Sequence, residues 1–343
     1  MTIYDLPTPA LLVDIDAFES NIQRMSTAGK KLRPHAKAHK CVNVAKRQIA
    51  AGAIGICVAT VPEAELMVRA GIPGVLLTSP LADPRKMARV AALAPDIAVV
   101  IDHPDQMRWY SEAASAANVT LNALVDLDVG DHRTGITPGE PALELAQQIL
   151  RTRNLNFSGL QAYSVRASHM PAITNDTWQC AVDTAALLKQ HGIEVSILTG
   201  GSTGSYQGDT TVPEVTELQA GSYVFMDEAY SRIEGIPFLN SMTVLATVIS
   251  ATHTDRVTVD AGFKAFSTDR PFGPSPVDPS IGRYDYAGDE FGYIYEPRGL
   301  RLGDRVRFIP PHCDPTVNLY DRIHICRGDT VEDVWSVMNR LTS

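Results

Sequence analysis

From about residue 20 to residue 235, short apolar or β-branched runs alternate with longer helix-compatible stretches. The runs are Leu32–Lys37, Ile54–Thr60, Gly74–Ser79, Ile97–Asp102, Leu121–Asp128, Phe157–Tyr163, Glu194–Thr199 and Leu218–Phe225, and they read as eight strands. The segments between them read as amphipathic helices. Pro62–Gly71 has Pro and Glu in its first turn and a glycine at its end, and Pro141–Arg151 and Thr177–His191 have the same character. Eight strand–helix units predict an α/β fold, a TIM-type (β/α)₈ barrel, with an open doubly wound sheet as the alternative.

Beyond residue 235 the pattern changes. Met242–Ala251, Arg256–Ala261, Gly292–Tyr295, Arg305–Ile309 and Tyr320–Cys326 are strand-like and separated by Gly, Pro and Asp clusters. They predict a second, mainly antiparallel β domain, to which Thr8–Asp14 adds a strand. Residues 268–289 read as a long loop, and Val331–Leu341 as an amphipathic helix. The expected division is therefore a barrel over 20–235 and a second domain made of 1–19 with 236–343.

Composition narrows the functions. Of 343 residues, 45% are hydrophobic and 20% charged, ordinary for a globular protein. A net charge of -9 provides no basic face for nucleic acid. No apolar run is long enough to span a membrane, and residues 1–20 lack a signal-peptide layout. Five scattered cysteines, Cys41, Cys57, Cys180, Cys313 and Cys326, suit a reducing compartment, so a cytoplasmic location is expected.

Four segments carry candidate chemistry. Arg33-Pro34-His35-Ala36-Lys37-Ala38-His39-Lys40 ends the first strand. If the strand persists, His35, Lys37 and His39 share a side. Barrel active sites lie at the C-terminal strand ends, where a desolvated lysine favours the neutral amine that Schiff-base chemistry requires. A surface basic cluster is the plainer alternative. Thr199-Gly200-Gly201-Ser202-Thr203-Gly204-Ser205 follows the seventh strand, where Gly201, Ser202 and Thr203 would cradle a phosphate, with Tyr223 a further donor. The same loop also reads as a flexible connector. Val129–Gly135 follows the fifth strand as a capped turn containing Arg133. Finally, extended backbone at Pro310–Leu319 would put His312 and Asp314 on one side with Cys313 pointing away. Imidazole plus carboxylate suits Mg²⁺ or Mn²⁺; a hydrogen-bonded turn is the alternative.

Arg33–Lys40 resembles the R-P-H-x-K-T-H-K signature of the D-threonine aldolase, 3-hydroxy-D-aspartate aldolase and D-serine dehydratase-like family, with Ala38 where threonine is usual. These are fold-type-III pyridoxal 5'-phosphate enzymes with an alanine-racemase-like barrel. The resemblance covers nearly the whole chain, with its motifs in the family's order. It implies that Lys37 carries the cofactor and that Arg133 approaches the ring's phenolic oxygen. Gly159-Leu160-Gln161-Ala162-Tyr163 resembles the family's G-L-Q-x-Y, which implies cofactor contacts for Gln161 and for Tyr163, the latter near the pyridine nitrogen. The family's metal ligands fall at a C-terminal H-x-D or H-x-C, here His312 and Asp314. The aspartate favours an aldolase with Mg²⁺ or Mn²⁺ over a dehydratase with zinc.

The implied reaction cleaves D-β-hydroxy-α-amino acids, such as D-threonine or 3-hydroxy-D-aspartate, to glycine and an aldehyde. Loss of hydroxide from D-serine or 3-hydroxyaspartate, giving an α-keto acid and ammonia, is the alternative. A racemase and a non-catalytic pyridoxal-phosphate-binding protein are further readings. His35 is the first candidate base and His39 the second. Arg133, Arg166 and Arg270 are candidates to select a second substrate carboxylate, and Asp289 or Glu290 to act as a substrate-contacting acid. Related enzymes imply a homodimer.

Overall fold

The structure, a computed structural model, describes residues 1–338. The chain forms two compact units. One takes Ser26–Lys37 and Val42–Gly221; the other takes Met1–Met25, Ala38–Cys41 and the chain from Ser222.

The first unit is the barrel. Its parallel strands are Lys31–Leu32, Cys57–Val58, Val75–Leu77, Ile97–Ile101, Leu121–Leu127, Leu155–Ala162, Ile197–Gly200 and Glu217–Leu218. From the second to the eighth each pairs with its neighbour in sequence, and the eighth pairs with the first. A parallel bridge between His35 and Cys57, with the Ile54 and Cys57 amides donating to Leu32 O and Pro34 O, closes the ring. Cys57, Leu76, Val100 and Leu124, from successive strands, pack as one buried cluster. Several outer helices begin with one device: Thr60, Asp83 and His103 each accept an amide of the first turn while proline occupies its first positions.

Short closing strands correct the sequence expectation. The run predicted as strand to Lys37 forms a ladder only at Lys31–Leu32, keeps a single bridge at His35, and turns as a 3₁₀ helix at Ala36–Ala38. The eighth strand ends at Leu218, not at Phe225. Between the fifth and sixth strands the register slips. Ala123 pairs with Phe157 but Leu124 pairs with Gly159, so Ser158 is an extra residue. Asn122 and Asp126, four apart, consequently face Asn156 and Gln161, five apart.

The second unit is a nine-stranded, mainly antiparallel sheet. Met242–Ser250 pairs antiparallel with Ala10–Asp14, Arg256–Val259 and Arg305–Ile309, and Ala10–Asp14 pairs parallel with Arg322–Arg327. Ile3, Leu6, Ala10, Leu12, Leu245 and Cys326 form one buried cluster. The predicted 268–289 loop contains the strands Ser275–Pro276 and Arg283–Tyr286. Thr330–Ser336 is a strand where a helix was expected from Val331; residues 339–341 of that expectation lie outside the described residues. The reason is local. Gly328, at φ +56°, and Asp329 form a two-residue connection, so Thr330 pairs with Arg327 and a hairpin takes the place of a helix.

Candidate active site

A cleft of about 370 Å³ opens at the C-terminal ends of the barrel strands. It is lined by residues that follow or end those strands, among them His35, Lys37, Thr78, Arg133, Gln161 and Tyr163. A larger surface groove, about 720 Å³ along Val182, Ala186, Lys189 and Ile193, contains neither histidine nor cysteine among its lining residues. Volume alone does not make a site.

Lys37 occupies the 3₁₀ turn between Ala36 and Ala38, both fully buried, which pins the backbone and leaves the half-buried side chain to the cleft. Its Nζ lies 5.3 Å from the centroid of the Tyr163 ring. The Arg133 guanidinium lies 5.0 Å from the same centroid, so one ring faces two cations. Arg133 stands on a turn held by Asp128, which accepts the Gly130 and His132 amides at 3.0 and 2.9 Å. Arg166 braces that turn by bonding Asp131 Oδ1 at 2.9 Å and Gly130 O at 2.7 Å.

The two histidines of the motif separate. His35 Nδ1 accepts the Lys37 amide at 3.3 Å, and Nε2 lies 3.0 Å from the Thr78 hydroxyl, which itself donates to Val58 O. A hydroxyl has one proton to give, so Nε2 donates and His35 is the neutral Nε2–H tautomer. His39 belongs to the other unit, fully buried, with Nδ1 accepting the Cys41 amide at 3.1 Å. The turn at Ala36–Ala38 removes the strand alternation that would have aligned them. Tyr223 also lies in the second unit, its ring 5.7 Å from Phe238.

Beneath the cleft is a polar layer that sequence reasoning missed. Gln161 Nε2 donates to Asp126 Oδ1 at 2.8 Å and to Thr78 O at 3.1 Å, while its Oε1 accepts from Gln219 at 3.1 Å. Thr134 donates to the other Asp126 oxygen at 3.0 Å. An acid at an inward position of the apolar run Leu121–Leu127 was the available signal. Burial pushes the Asp126 carboxyl from an ordinary 3.8 up to about 6, against the bonds from Gln161 and Thr134 and the nearby Arg133 charge. Between about pH 4 and 6 the folded chain retains a proton that the unfolded chain has lost, so stability falls as pH rises through that window. Asp126→Asn removes this cost. Its free energy of urea unfolding is expected to gain on the wild type at pH 8 relative to pH 4, by up to about 3 kcal/mol. An equal difference at both pH values would refute the assignment.

The glycine-rich loop after the seventh strand carries Gly201, Ser202 and Thr203. A Cβ on Gly200 would collide with Ala162 O, and Gly201 has φ +73°. Thr203 is 1% exposed, and its hydroxyl has no hydrogen-bond partner. Gln219, which lines the cleft, bonds Thr199 at the root of this loop at 3.2 Å.

His312 and Asp314 lie in the second unit, and their local backbone differs from expectation. His312 is extended (φ -146°), but Cys313–Val317 is a short helix with Pro315 inside it, so the pair does not alternate along a strand. His312 Nδ1 lies 2.7 Å from Asp269 Oδ2, which directs the ring's Nε2 away from the protein partner. Asp314 Oδ1 accepts from Ser222 Oγ at 2.9 Å and from the buried Cys313 Sγ at 3.2 Å. Among the described residues no group of three or more His, Cys, Asp or Glu is arranged to hold a metal. Asp289 and Glu290 are exposed around Lys264, with Glu290 at 2.5 Å. Arg270 lies 3.6 Å from Asp269. None of the described helices is long and apolar enough to cross a membrane.

Fold and cleft together define an α/β-barrel enzyme of the alanine racemase type, joined to a β domain. Residues 13–229 match the family described as alanine racemase, N-terminal domain, and residues 241–326 match the putative serine dehydratase domain. A D-threonine aldolase from Arthrobacter sp is 38% identical, over 97% of this chain and 92% of its own. A 3-hydroxy-D-aspartate aldolase from Paracoccus denitrificans (strain Pd 1222) is 34% identical, over 98% and 92%. The crystal structure of D-threonine aldolase from Filomicrobium marinum superposes with a TM-score of 0.95 at 37% identity, covering 99% of this chain and 97% of that one. The chain belongs to the D-threonine aldolase, 3-hydroxy-D-aspartate aldolase and D-serine dehydratase-like family, and it is a lyase.

Proposed function

We propose that the chain is a pyridoxal 5'-phosphate- and divalent-metal-dependent aldolase that cleaves D-β-hydroxy-α-amino acids to glycine and an aldehyde. The observation that carries this reading is the Lys37 amine in a cleft it shares with Arg133, Gln161 and Tyr163. The residues fit the cofactor. The cleft suits a ligand of that size, Lys37 is its amine, and the Thr203 hydroxyl waits unpartnered in a loop built for an anion. Bound at Lys37, pyridoxal phosphate would supply the electron sink for breaking the bond between Cα and Cβ.

The chain's own groups do the rest. His35, neutral and engaged at both ring nitrogens, holds the Lys37 turn, so the base is not assigned to it. Gln161 is fixed by Asp126, Thr78 and Gln219 and presents a neutral amide wall. Arg133 brings a lasting positive charge suited to an anionic oxygen of ring or substrate. His312 and Asp314 are the proposed metal ligands, with Asp269 fixing the histidine's tautomer. With only two protein ligands, the ion would complete its shell with water and substrate and supply Lewis-acid chemistry.

Product analysis tests the proposal. With D-threonine or 3-hydroxy-D-aspartate and Mn²⁺ or Mg²⁺, the expected products are glycine and acetaldehyde or glyoxylate. Formation of an α-keto acid and ammonia without glycine would establish the dehydratase instead, a reading favoured by the thiol of Cys313 beside Asp314. Chelation with EDTA is expected to abolish turnover, with recovery on adding Mn²⁺. Full activity in EDTA would remove the metal from the proposal.

A further inference from the structure

A loop proposed to bind a phosphate dianion is built around a buried negative side chain. Asp209, 1% exposed, ends the short helix Tyr206–Asp209 that follows the loop. Its Oδ2 accepts the Ser205 hydroxyl at 2.8 Å and the Ser202 amide at 3.2 Å, and its Oδ1 accepts Trp178 Nε1–H at 2.8 Å. Ser202 and Ser205 also bond each other through their hydroxyls at 2.9 Å. The carboxylate occupies the space a Cβ on Gly201 would need. Three loop residues are therefore shaped against one carboxylate, which an indole anchors from the other side. None of this is explained by the catalytic groups in the cleft.

A carboxylate near a phosphate site repels the phosphate, so its presence there calls for a compensating role. We propose that Asp209 is the positioning residue of the phosphate cradle. It consumes the Ser202 amide and the Ser205 hydroxyl, fixes the curl of Gly201–Ser205, and so leaves the buried Thr203 hydroxyl as a preset donor to the phosphate ester. The inference rests on the cofactor reading above and deepens it. It also makes a prediction opposite in sign to simple electrostatics. Removing the negative charge should strengthen phosphate binding if repulsion is all that matters, and weaken it if shape matters more.

Asp209→Asn separates the two. Both carboxylate oxygens accept hydrogen bonds, whereas an amide has one acceptor, so either orientation of asparagine sets an NH₂ against a donor. The full-length chain, freed of cofactor by hydroxylamine and dialysis, is titrated with pyridoxal phosphate and with pyridoxal, which lacks the phosphate. Visible absorption and tryptophan fluorescence report binding. The expected result is an affinity for pyridoxal phosphate about tenfold lower or worse, with pyridoxal unchanged within about twofold. Equal losses for both ligands, no loss, or tighter phosphate binding would overturn the proposal. A wild-type chain that binds neither ligand would overturn the cofactor reading and this inference with it. Should circular dichroism find Asp209→Asn unfolded, Ser205→Ala is expected to give the same phosphate-selective loss at several-fold, and equal affinities there would refute it.

Discussion

Lys37→Ala is expected to lower kcat/KM by roughly 10³-fold or more and to abolish the visible absorption of lysine-bound pyridoxal phosphate. The backbone should not notice the change. Ala36 and Ala38 bury the turn on either side, and the Lys37 amide, not its side chain, makes the bond to His35. Thermal unfolding is therefore expected at the wild-type temperature, which separates loss of chemistry from loss of fold. Lys37→Arg should be no better, because a guanidinium does not deprotonate to a nucleophile. An added small amine such as methylamine is expected to restore part of the rate in the alanine variant. It would restore only part, since an amine held in place acts at a far higher effective concentration than one in solution. Retention of the visible band in Lys37→Ala would refute the assignment.

The second large effect lies at the barrel seam. Arg33, in the same motif, bonds Glu217 through Nε at 2.7 Å and Nη2 at 2.9 Å, and its Nη1 donates to Gly74 O. Glu217 is 3% exposed. A Cβ on Gly55 would run into Gly74 O and one on Gly74 into Ile54 O, and either would meet the guanidinium, so both glycines make room for it. The strands this ion pair joins are two residues long and contribute few ladder bonds, which leaves closure dependent on the side chains. Glu217→Gln changes little in volume but strands a buried positive charge. A loss of about 3–5 kcal/mol is expected in urea unfolding. Pairing Arg33→Met with Glu217→Leu should recover much of it, because no uncompensated charge is left. A Glu217→Gln variant within about 1 kcal/mol of wild type would show that the clamp is dispensable.

What the sequence disclosed follows from where its signals are local. Strand and helix alternation is a periodic pattern, so all eight barrel strands were legible, as were the glycines of the Thr199–Ser205 loop. The 3₁₀ turn at Lys37 was not, because Ala36 and Ala38 suit either a strand or a turn, and burial alone decides between them. His39 and Tyr223 were read from an alternating first strand and a long eighth one, and both of those strands end early, at Leu32 and Leu218. The chain from Val331 departs from the predicted helix because the Gly328-Asp329 turn folds it back on Arg322–Arg327 despite its apolar pattern. Asp126, Glu217 and Asp269 act through partners 35 to 184 positions away, and the indole that anchors Asp209 lies 31 positions from it. No window of sequence contains both members of such a pair.

The extra residue at Ser158 has a consequence for how this site tolerates change. Side chains in a strand alternate, so Asn156 and Gln161, an odd number apart, should point to opposite faces. Both nevertheless meet partners on one face of the neighbouring strand, because the slip between Phe157 and Gly159 inverts the parity. The identity of residue 158 matters little to that outcome, but its presence is essential. Single substitutions there leave the frame intact, whereas deletion of that one position would turn Gln161 out of the polar layer and a hydrophobic neighbour in. In this stretch the site is encoded by counting, and drift in length is penalised where drift in letters is not.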